Sequence, residues 1–494
     1  MTDSSDYRLK NGAKNQSEDW FNLLPKYIQA ALHSIPEPNV KSGLNAYFVA
    51  FSGGLDSSLL LELAHRYLSE FRHSRVAAIH VHHGLSAHAD HWLLHCEQVC
   101  QRLNIQIITE RVVLSSNNNG LKKGLEEAAR AARYRVFEQA LPDGAVLLQG
   151  HHQNDQAETV LLRLMRGAGV AGIAGIPLTR ALNSALINRP FLNISKSALL
   201  QLAQSFGLKW VEDDSNESRD FDRNFIRHEI IPSLESRWPG AVGRLSMSAS
   251  HCREGSELED ALAQIDLNAV LHADFNSALA IDELSQLSAN RQTNVVRYWI
   301  RSQEMGFPGE KKFRRIWSEV LSARDDSMPV IEWPLGSLRR YRGALFLVSK
   351  HKQDVQVGFN SEQVISVDNF VFNQAVAGSV YRVSRTDSDD GIKSGSALCI
   401  RMPNEIEKIT VRFRQGGELF KPAGKAHHRP LKKWLHDCFI PPWLRDSVPL
   451  LYYNECLIAV GDYLVADGAQ KESGDCNLSI EWETQCGNRS IVKC

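Results

Sequence analysis

The sequence predicts an α/β fold built on a parallel sheet, followed by a small helical domain and a small β-rich C-terminal domain. Three observations predict it. From residue 47 to about residue 180, short apolar β-favouring runs alternate with helical patterns. A glycine turn, Ser52-Gly53-Gly54-Leu55-Asp56-Ser57, joins the first of these runs directly to a helix. From 244 to about 325 the apolar period is helical, and short strand-like runs such as 408–414 and 450–460 come after a polar link.

Taken in order, residues 1–17 are polar and aperiodic and read as disordered. Residues 19–34 place Trp20, Leu23, Leu24, Tyr27, Ile28, Ala31 and Leu32 at the spacing of an amphipathic helix, which Pro36 and Pro38 end. Strands are expected at 47–51, 76–81, 105–108 and 145–149, and helices at 57–69, 87–103, 124–140 and 155–166. Such sheets bind ligands at the carboxyl ends of their strands, near a topological switch point. The segments after the first, second and fourth strands are therefore expected to share one crevice.

The first of these segments has the chemistry of a phosphate site. A helix N-terminus carries unpaired N–H groups and a partial positive charge. Gly53 and Gly54 let the backbone come close to an anion, and Ser52, Ser57 and Ser58 add hydroxyl donors. Asp56 would repel a phosphate unless a metal ion such as Mg²⁺ is shared between them. The loop is not a Walker A motif, because it lacks the Gly-x-x-x-x-Gly-Lys pattern and its lysine. It also lacks the Gly-x-Gly-x-x-Gly spacing of dinucleotide folds.

The second strand ends in His80-Val-His82-His83-Gly84. Zinc is one reading of these histidines, and hydrogen bonding near a nucleotide is the other. On the third helix Arg130 and Arg133 follow Glu126 along one side, either as a solvated face or to meet phosphate. The fourth strand ends in Gly150-His151-His152, and Asp155 and Glu158 then share one face of the next helix. Acidic groups there can simply complement the helix dipole. Together with His151 at a ligand-binding edge, they suit a metal or a cationic ligand. Further on, an acidic loop at 212–214 precedes Arg223 and Arg227, four residues apart, a spacing that also suits a salt-bridged face.

The totals exclude several classes. The chain has 494 residues, 43% hydrophobic and 23% charged, with a formal net charge of -1. No overall charge argues for nucleic acid, so any basic surface is local. None of the nine cysteines forms Cys-x-x-Cys, which counts against zinc ribbons and iron–sulfur clusters. An odd cysteine count in a large chain points to a reducing compartment. The polar, acidic start is not a signal peptide, and no apolar run reaches membrane-spanning length. A cytoplasmic enzyme is the expectation.

The one basic cluster lies between 411 and 445. Arg412, Arg414, Lys421, Lys425, Arg429, Lys432, Lys433 and Arg445 outnumber Glu418 and Asp437, a local +6. Trp434, Phe439 and Trp443 are interleaved. Basic residues with aromatics suit RNA, through phosphate contacts and base stacking. A solvated basic face is the plainer reading.

The loop Ser-Gly-Gly-Leu-Asp-Ser resembles that of PP-loop ATP pyrophosphatases, which cleave ATP between the α- and β-phosphates. Further strings follow in order: His-Val-His-His-Gly-Leu, Gly-His-His-x-x-Asp-Gln-Ala-Glu-Thr, Asp-Asp-Ser-Asn and Arg-Asn-x-x-Arg. With them, residues 45–240 resemble the tRNA(Ile)-lysidine synthetase family strongly. The resemblance weakens toward about 475, where Leu-Lys-Lys-Trp-Leu and Ile-Pro-Pro-Trp-x-Arg are similar to its C-terminal domain. It implies an N-terminal extension (1–44), a PP-loop (adenine nucleotide α-hydrolase-like) catalytic domain (45–240) and a helical tRNA-binding domain (244–350). A C-terminal tRNA-recognition domain (377–470) and a polar tail (471–494) complete the expected layout.

The resemblance implies ligation of free L-lysine to C2 of the wobble cytidine in the CAU anticodon of tRNA(Ile). ATP and Mg²⁺ are the implied cofactors, and a homodimer is compatible. Residues 52–57 and Arg130 or Arg133 would then hold ATP, with Asp56 on the metal. Asp155 and Glu158 would orient the lysine amine, with His151 assisting, although Asp155 also reads as a second metal ligand. Arg223 or Arg227 would take the adenylate phosphate or the lysine carboxylate. Arg412, Lys432, Lys433 and Arg445 would hold the tRNA. Two other readings stand beside this one: another adenylating enzyme of the loop class, such as a thiolase or amidotransferase, and a non-catalytic RNA- or nucleotide-binding module. Thiolases generally need catalytic cysteines or a cluster, which the cysteine pattern does not favour.

Overall fold

The computed structural model describes residues 19–40, 46–82, 84, 88–112, 122–212, 222–273, 275, 277–303, 305–324, 327–350, 363–365, 371–376, 379–386, 398–404, 406–470 and 477–483. The expectation for residues 1–17 and the Asp213–Asn216 string lie outside them. Two compact units, Met1–Leu258 and Glu259–Cys494, divide the chain. The boundary falls inside the helix Ala241–Val270, later than the sequence pattern placed it.

In the first unit, two short helices, α1 (Asp19–Leu23) and α2 (Lys26–His33), stand where one helix was expected. Pro25 forms the N-cap of α2 and divides them. Both join the main core: Phe21, Leu24, Ile28 and Leu32 are buried with Leu59, Leu63 and Tyr67. The expected extension is thus part of the domain's packing.

The chain then runs β1 (Tyr47–Ala50), α3 (Leu55–Phe71), β2 (Val76–His82), α4 (Ala89–Leu103), β3 (Gln106–Arg111), α5 (Lys122–Ala140), β4 (Val146–Leu148) and α6 (Gln153–Met165). A short helix α7 (Val170–Ile173), strands β5 (Thr179–Leu182) and β6 (Ala185–Asn188), and helix α8 (Lys196–Ser205) follow. The sheet order is β3-β2-β1-β4-β6-β5, parallel except for β5. Side chains alternate between two cores. Tyr47, Val49, Val146 and Leu148 face one, and Phe48, Leu147 and Ile187 the other. Both faces are therefore covered, as a parallel sheet requires. The order reverses between β1 and β4, and their carboxyl ends form the switch point.

The β5–β6 hairpin was not expected from the sequence. Its two-residue turn puts Asn183 at φ 50°, a conformation asparagine tolerates.

The second unit begins with helical segments. It then forms a four-stranded sheet from Leu279–Ala280, Val330–Trp333, Gly336–Tyr341 and Ala344–Ser349. Five- and four-stranded sheets follow beyond residue 363. Asn477–Glu483, expected within a polar tail, is a strand paired with Ser379–Thr386 and Leu398–Arg401. Its alternating Leu478, Ile480 and Trp482 are buried, a strand pattern hidden by the polar residues around it.

Candidate functional site

The loop after β1 opens at the switch point. Gly53 adopts φ +84°, and Gly54 is the N-cap of α3. Ser57 Oγ donates to the Gly54 carbonyl at 3.0 Å and lies 3.1 Å from Ser52 Oγ. The Ser52 N–H reaches Ser57 Oγ at 3.3 Å. These contacts curl residues 52–57 around the head of α3, leaving Leu55 and Asp56 in its first turn.

The loops after β1 and β4 touch. A side chain at Gly150 would lie 3.1 Å from the Asp56 backbone carbonyl, so only glycine fits there without a shift. His152, which the sequence reading passed over, links the two loops. Its Nε2 lies 3.5 Å from Asp56 Oδ2, and its Nδ1 lies 3.5 Å from Asp155 Oδ2. The His152 N–H also donates to Asp155 Oδ2 at 3.0 Å, at the start of α6. An N-cap position with an acid three residues on was the available signal. Burial opposes a charge on His152, but the Asp56 hydrogen bond and the two carboxylate charges outweigh it and raise its pKa. Asp56 Oδ1 is buried and has no hydrogen-bond partner among the described residues.

Asp155 and Glu158 share one face of α6, as their spacing predicts, and both are paired. Arg223 gives Nε to Glu158 Oε2 at 2.7 Å and Nη2 to Asp155 Oδ1 at 3.0 Å. Arg227 gives Nε to Glu158 Oε1 at 2.6 Å and Nη2 to Oε2 at 2.9 Å. Burial would raise the Asp155 pKa, but the His152 and Arg223 charges push it down to about 2.

On the other side of β4, His151 Nδ1 accepts from Arg189 Nε at 3.3 Å. Burial, with the Arg189, Arg223 and Arg130 charges, drives the His151 pKa down to about 3, so the ring is neutral. Arg189 is buried and donates Nη1 to the Pro177 carbonyl at 2.8 Å. Arg130 is exposed and stacks on Tyr134 at 5.2 Å, close enough for its charge to act on His151. Arg133 is exposed on the same helix.

His80 Nδ1 bonds the Phe51 carbonyl at 2.9 Å, just before the 52–57 loop, and His82 Nε2 lies 3.3 Å from Asp90. Among the described residues, no group of three or more His, Cys, Asp or Glu is placed to hold a metal ion. Cys96 and Cys100 are core residues, and burial pushes both thiols up to about 12. No helix among the described residues is long and apolar enough to cross a membrane.

In the second unit the basic cluster divides. Arg412 pairs with Glu455 at 2.8 Å, Arg414 with Asp446 at 3.0 Å and Lys421 with Asp467 at 2.7 Å. Arg445 is buried, and its Nε donates to the Ile440 carbonyl at 2.9 Å, so it holds the fold. Lys425, Lys432 and Lys433 are exposed. The expected stacking aromatics turn inward. Trp434 is buried with its Nε1 on the Phe420 carbonyl at 2.9 Å, and Phe439 and Trp443 pack against Tyr341 and Phe346.

The parallel sheet and the glycine loop at its switch point define a nucleotide-binding domain of the PP-loop class, and the PP-loop domain family matches residues 26–234. The TilS substrate binding domain matches 279–346, and the TilS substrate C-terminal domain matches 409–482. A tRNA(Ile)-lysidine synthase of Coxiella burnetii is 37% identical over 440 residues, covering 88% of this chain and 92% of that protein. Those of Serratia proteamaculans and Legionella pneumophila (strain Paris) are each 35% identical, over 88% and 85% of this chain and 94% and 91% of their own lengths. The chain belongs to the tRNA(Ile)-lysidine synthase family, and it is an ATP-using ligase.

Proposed function

We propose that this enzyme joins free L-lysine to C2 of the wobble cytidine of the CAU anticodon of tRNA(Ile), through an adenylated cytidine. The observation that supports it is the His152 link between Asp56 and Asp155. It joins the 52–57 loop to the carboxylate pair through one side chain, which supports a shared site for ATP and lysine.

In the first step the cytosine O2 attacks the α-phosphorus of ATP, and pyrophosphate leaves. Residues 52–57 receive the phosphates through backbone N–H groups and hydroxyls. Asp56 fits an Mg²⁺ ligand, because its buried Oδ1 has no other partner among the described residues. A bound Mg²⁺ would neutralise the charge on the departing phosphates. Arg130 and Arg133 assist at the phosphates, and neutral His151 lines the nucleotide side.

In the second step the lysine amine attacks C2, and AMP leaves. The amine arrives as an ammonium and must lose a proton. Asp155 and Glu158 hold it, exchanging part of their pairing with Arg223 and Arg227, and a carboxylate oxygen so released takes the proton. Those guanidiniums then serve the lysine carboxylate or the adenylate phosphate. The product pairs with A, so decoding moves from AUG to AUA and charging from methionine to isoleucine. Lys432 and Lys433 carry the tRNA contact, with Arg412 at its margin.

One assay tests the whole reading: purified protein, ATP, labelled lysine and a total tRNA pool. The expected result is label in a single isoleucine tRNA, with equal amounts of pyrophosphate and AMP. Label in no tRNA would sink it.

A further inference from the structure

The phosphate loop is held from behind by a segment that carries no expected site residue. The Val211 N–H donates to the Gly53 carbonyl at 2.9 Å, and the Ser58 hydroxyl adds a longer bond at 3.3 Å. A Cβ at Gly53 would lie 2.9 Å from Cys96 Sγ, 3.1 Å from Val211 Cγ2 and 3.5 Å from His95 Cδ2. The back of the loop is therefore packed against α4 and Val211. His95 in turn hydrogen-bonds the Lys209 backbone. Its Nε2 is buried without a partner among the described residues, which leaves Nδ1 as the bonding atom.

The peptide between Gly53 and Gly54 is planar, and its C=O and N–H point opposite ways. Drawing the carbonyl back onto Val211 turns the Gly54 N–H forward, where the Ser52 hydroxyl accepts it at 3.4 Å. A glycine turn released from that bond could flip this peptide. It would then face an anion with a carbonyl oxygen, which repels it.

We propose that residues 209–211 are a brace that fixes this peptide, with Val211 and His95 as positioning residues for ATP. The inference rests on the reading that residues 52–57 hold ATP phosphate. Neither residue need touch the nucleotide: Val211 acts through the Gly53 carbonyl, and His95 acts through Lys209. A preorganised set of donors binds better than one that must be ordered first.

The test is direct equilibrium binding of ATP to the full-length protein with Mg²⁺, without tRNA or lysine. Val211→Pro removes the N–H, while Val211→Ala keeps it. Losing one backbone hydrogen bond should weaken ATP binding by about fivefold in the proline variant. The alanine variant should bind close to wild type. His95→Leu, which removes the bond to Lys209, reports on the same brace if the proline variant does not fold. In both variants the affinity for tRNA should be unchanged, a pattern that general loosening of the fold would not give. ATP binding unchanged in a folded Val211→Pro protein, or in His95→Leu, overturns the brace. So does an equal loss of ATP and tRNA binding. Wild-type protein that does not bind ATP removes the nucleotide reading itself, and the brace with it.

Discussion

Arg227 grips Glu158 at two points, Nε to Oε1 at 2.6 Å and Nη2 to Oε2 at 2.9 Å. Glu158 is only 1% exposed, and Arg223 adds a bond at 2.7 Å. A lysine at 227 keeps the charge but cannot make the two-point contact. Arg227→Lys should therefore lower unfolding stability by about 2 kcal/mol, less than full loss of a buried partner because Arg223 remains. Denaturant titration measures it. An unchanged midpoint would mean that Arg223 alone satisfies the carboxylate.

Asp56 has the opposite situation, with a buried Oδ1 that no group among the described residues satisfies. Its other oxygen lies 3.5 Å from His152 Nε2, so removing the carboxylate costs the fold that one contact. Asp56→Ala should abolish ATP-dependent pyrophosphate release, with a fall in melting temperature no larger than loss of the His152 contact explains. Pyrophosphate release at the wild-type rate would show that Asp56 holds no metal.

His151 gives a pH signature. Its pKa falls from 6.5 in the unfolded chain to about 3 in the fold, chiefly through burial. The folded state thus resists a proton that the unfolded state accepts. Its contribution to stability is complete above about pH 6.5 and is lost as pH falls toward 3. His151→Asn should flatten the fall in melting temperature between about pH 6.5 and 4. A variant with the wild-type slope would place the titrating group elsewhere.

Lys432 and Lys433 are exposed, whereas Arg445 is locked to the Ile440 carbonyl. Lys432→Ala with Lys433→Ala should weaken tRNA binding and reduce its salt slope by about 2, with ATP affinity unchanged. Arg445→Ala should instead lower the stability of its domain. An unchanged salt slope in the double variant would remove these lysines from the RNA contact.

Local patterns carried much of this into view from the sequence. The strand–glycine–helix order located the turn at 52–57, because backbone geometry and residue type coincide at Gly53 and Gly54. The spacing of Asp155 and Glu158 showed a shared helix face. It could not show that Arg223 and Arg227 close over them, since that pairing spans 65 residues or more of chain. His152 was masked by its neighbour His151, although of the two it is His152 that reaches both Asp56 and Asp155. The aromatics Trp434, Phe439 and Trp443 misled for a related reason. Interleaving with lysines suggests a wet stacking surface, but helix periodicity turns Trp434 inward while Lys432 and Lys433 face out. The β5–β6 hairpin rests on Asn183 in a left-handed turn, and a single asparagine between short runs is a weak signal.

The role of the carboxylate pair decides between lysine binding and a second metal. Glu158→Gln keeps the side chain's size but replaces one oxygen with an amide, so it removes the charge that balances Arg223, Arg227 and an incoming ammonium. If Asp155 and Glu158 serve the lysine, the first half-reaction does not need that charge. Pyrophosphate release and tRNA adenylation should then continue in Glu158→Gln, and lysine transfer should fall by about a hundredfold or more, in the range of lost acid–base and positioning groups. The two half-reactions are read separately: pyrophosphate release with tRNA and no lysine, then label transfer on adding lysine. Melting temperature controls for the loss of a buried ion pair. If adenylation fails while lysine still binds, the carboxylates serve the metal instead, and the lysine site must be sought elsewhere around Arg223 and Arg227.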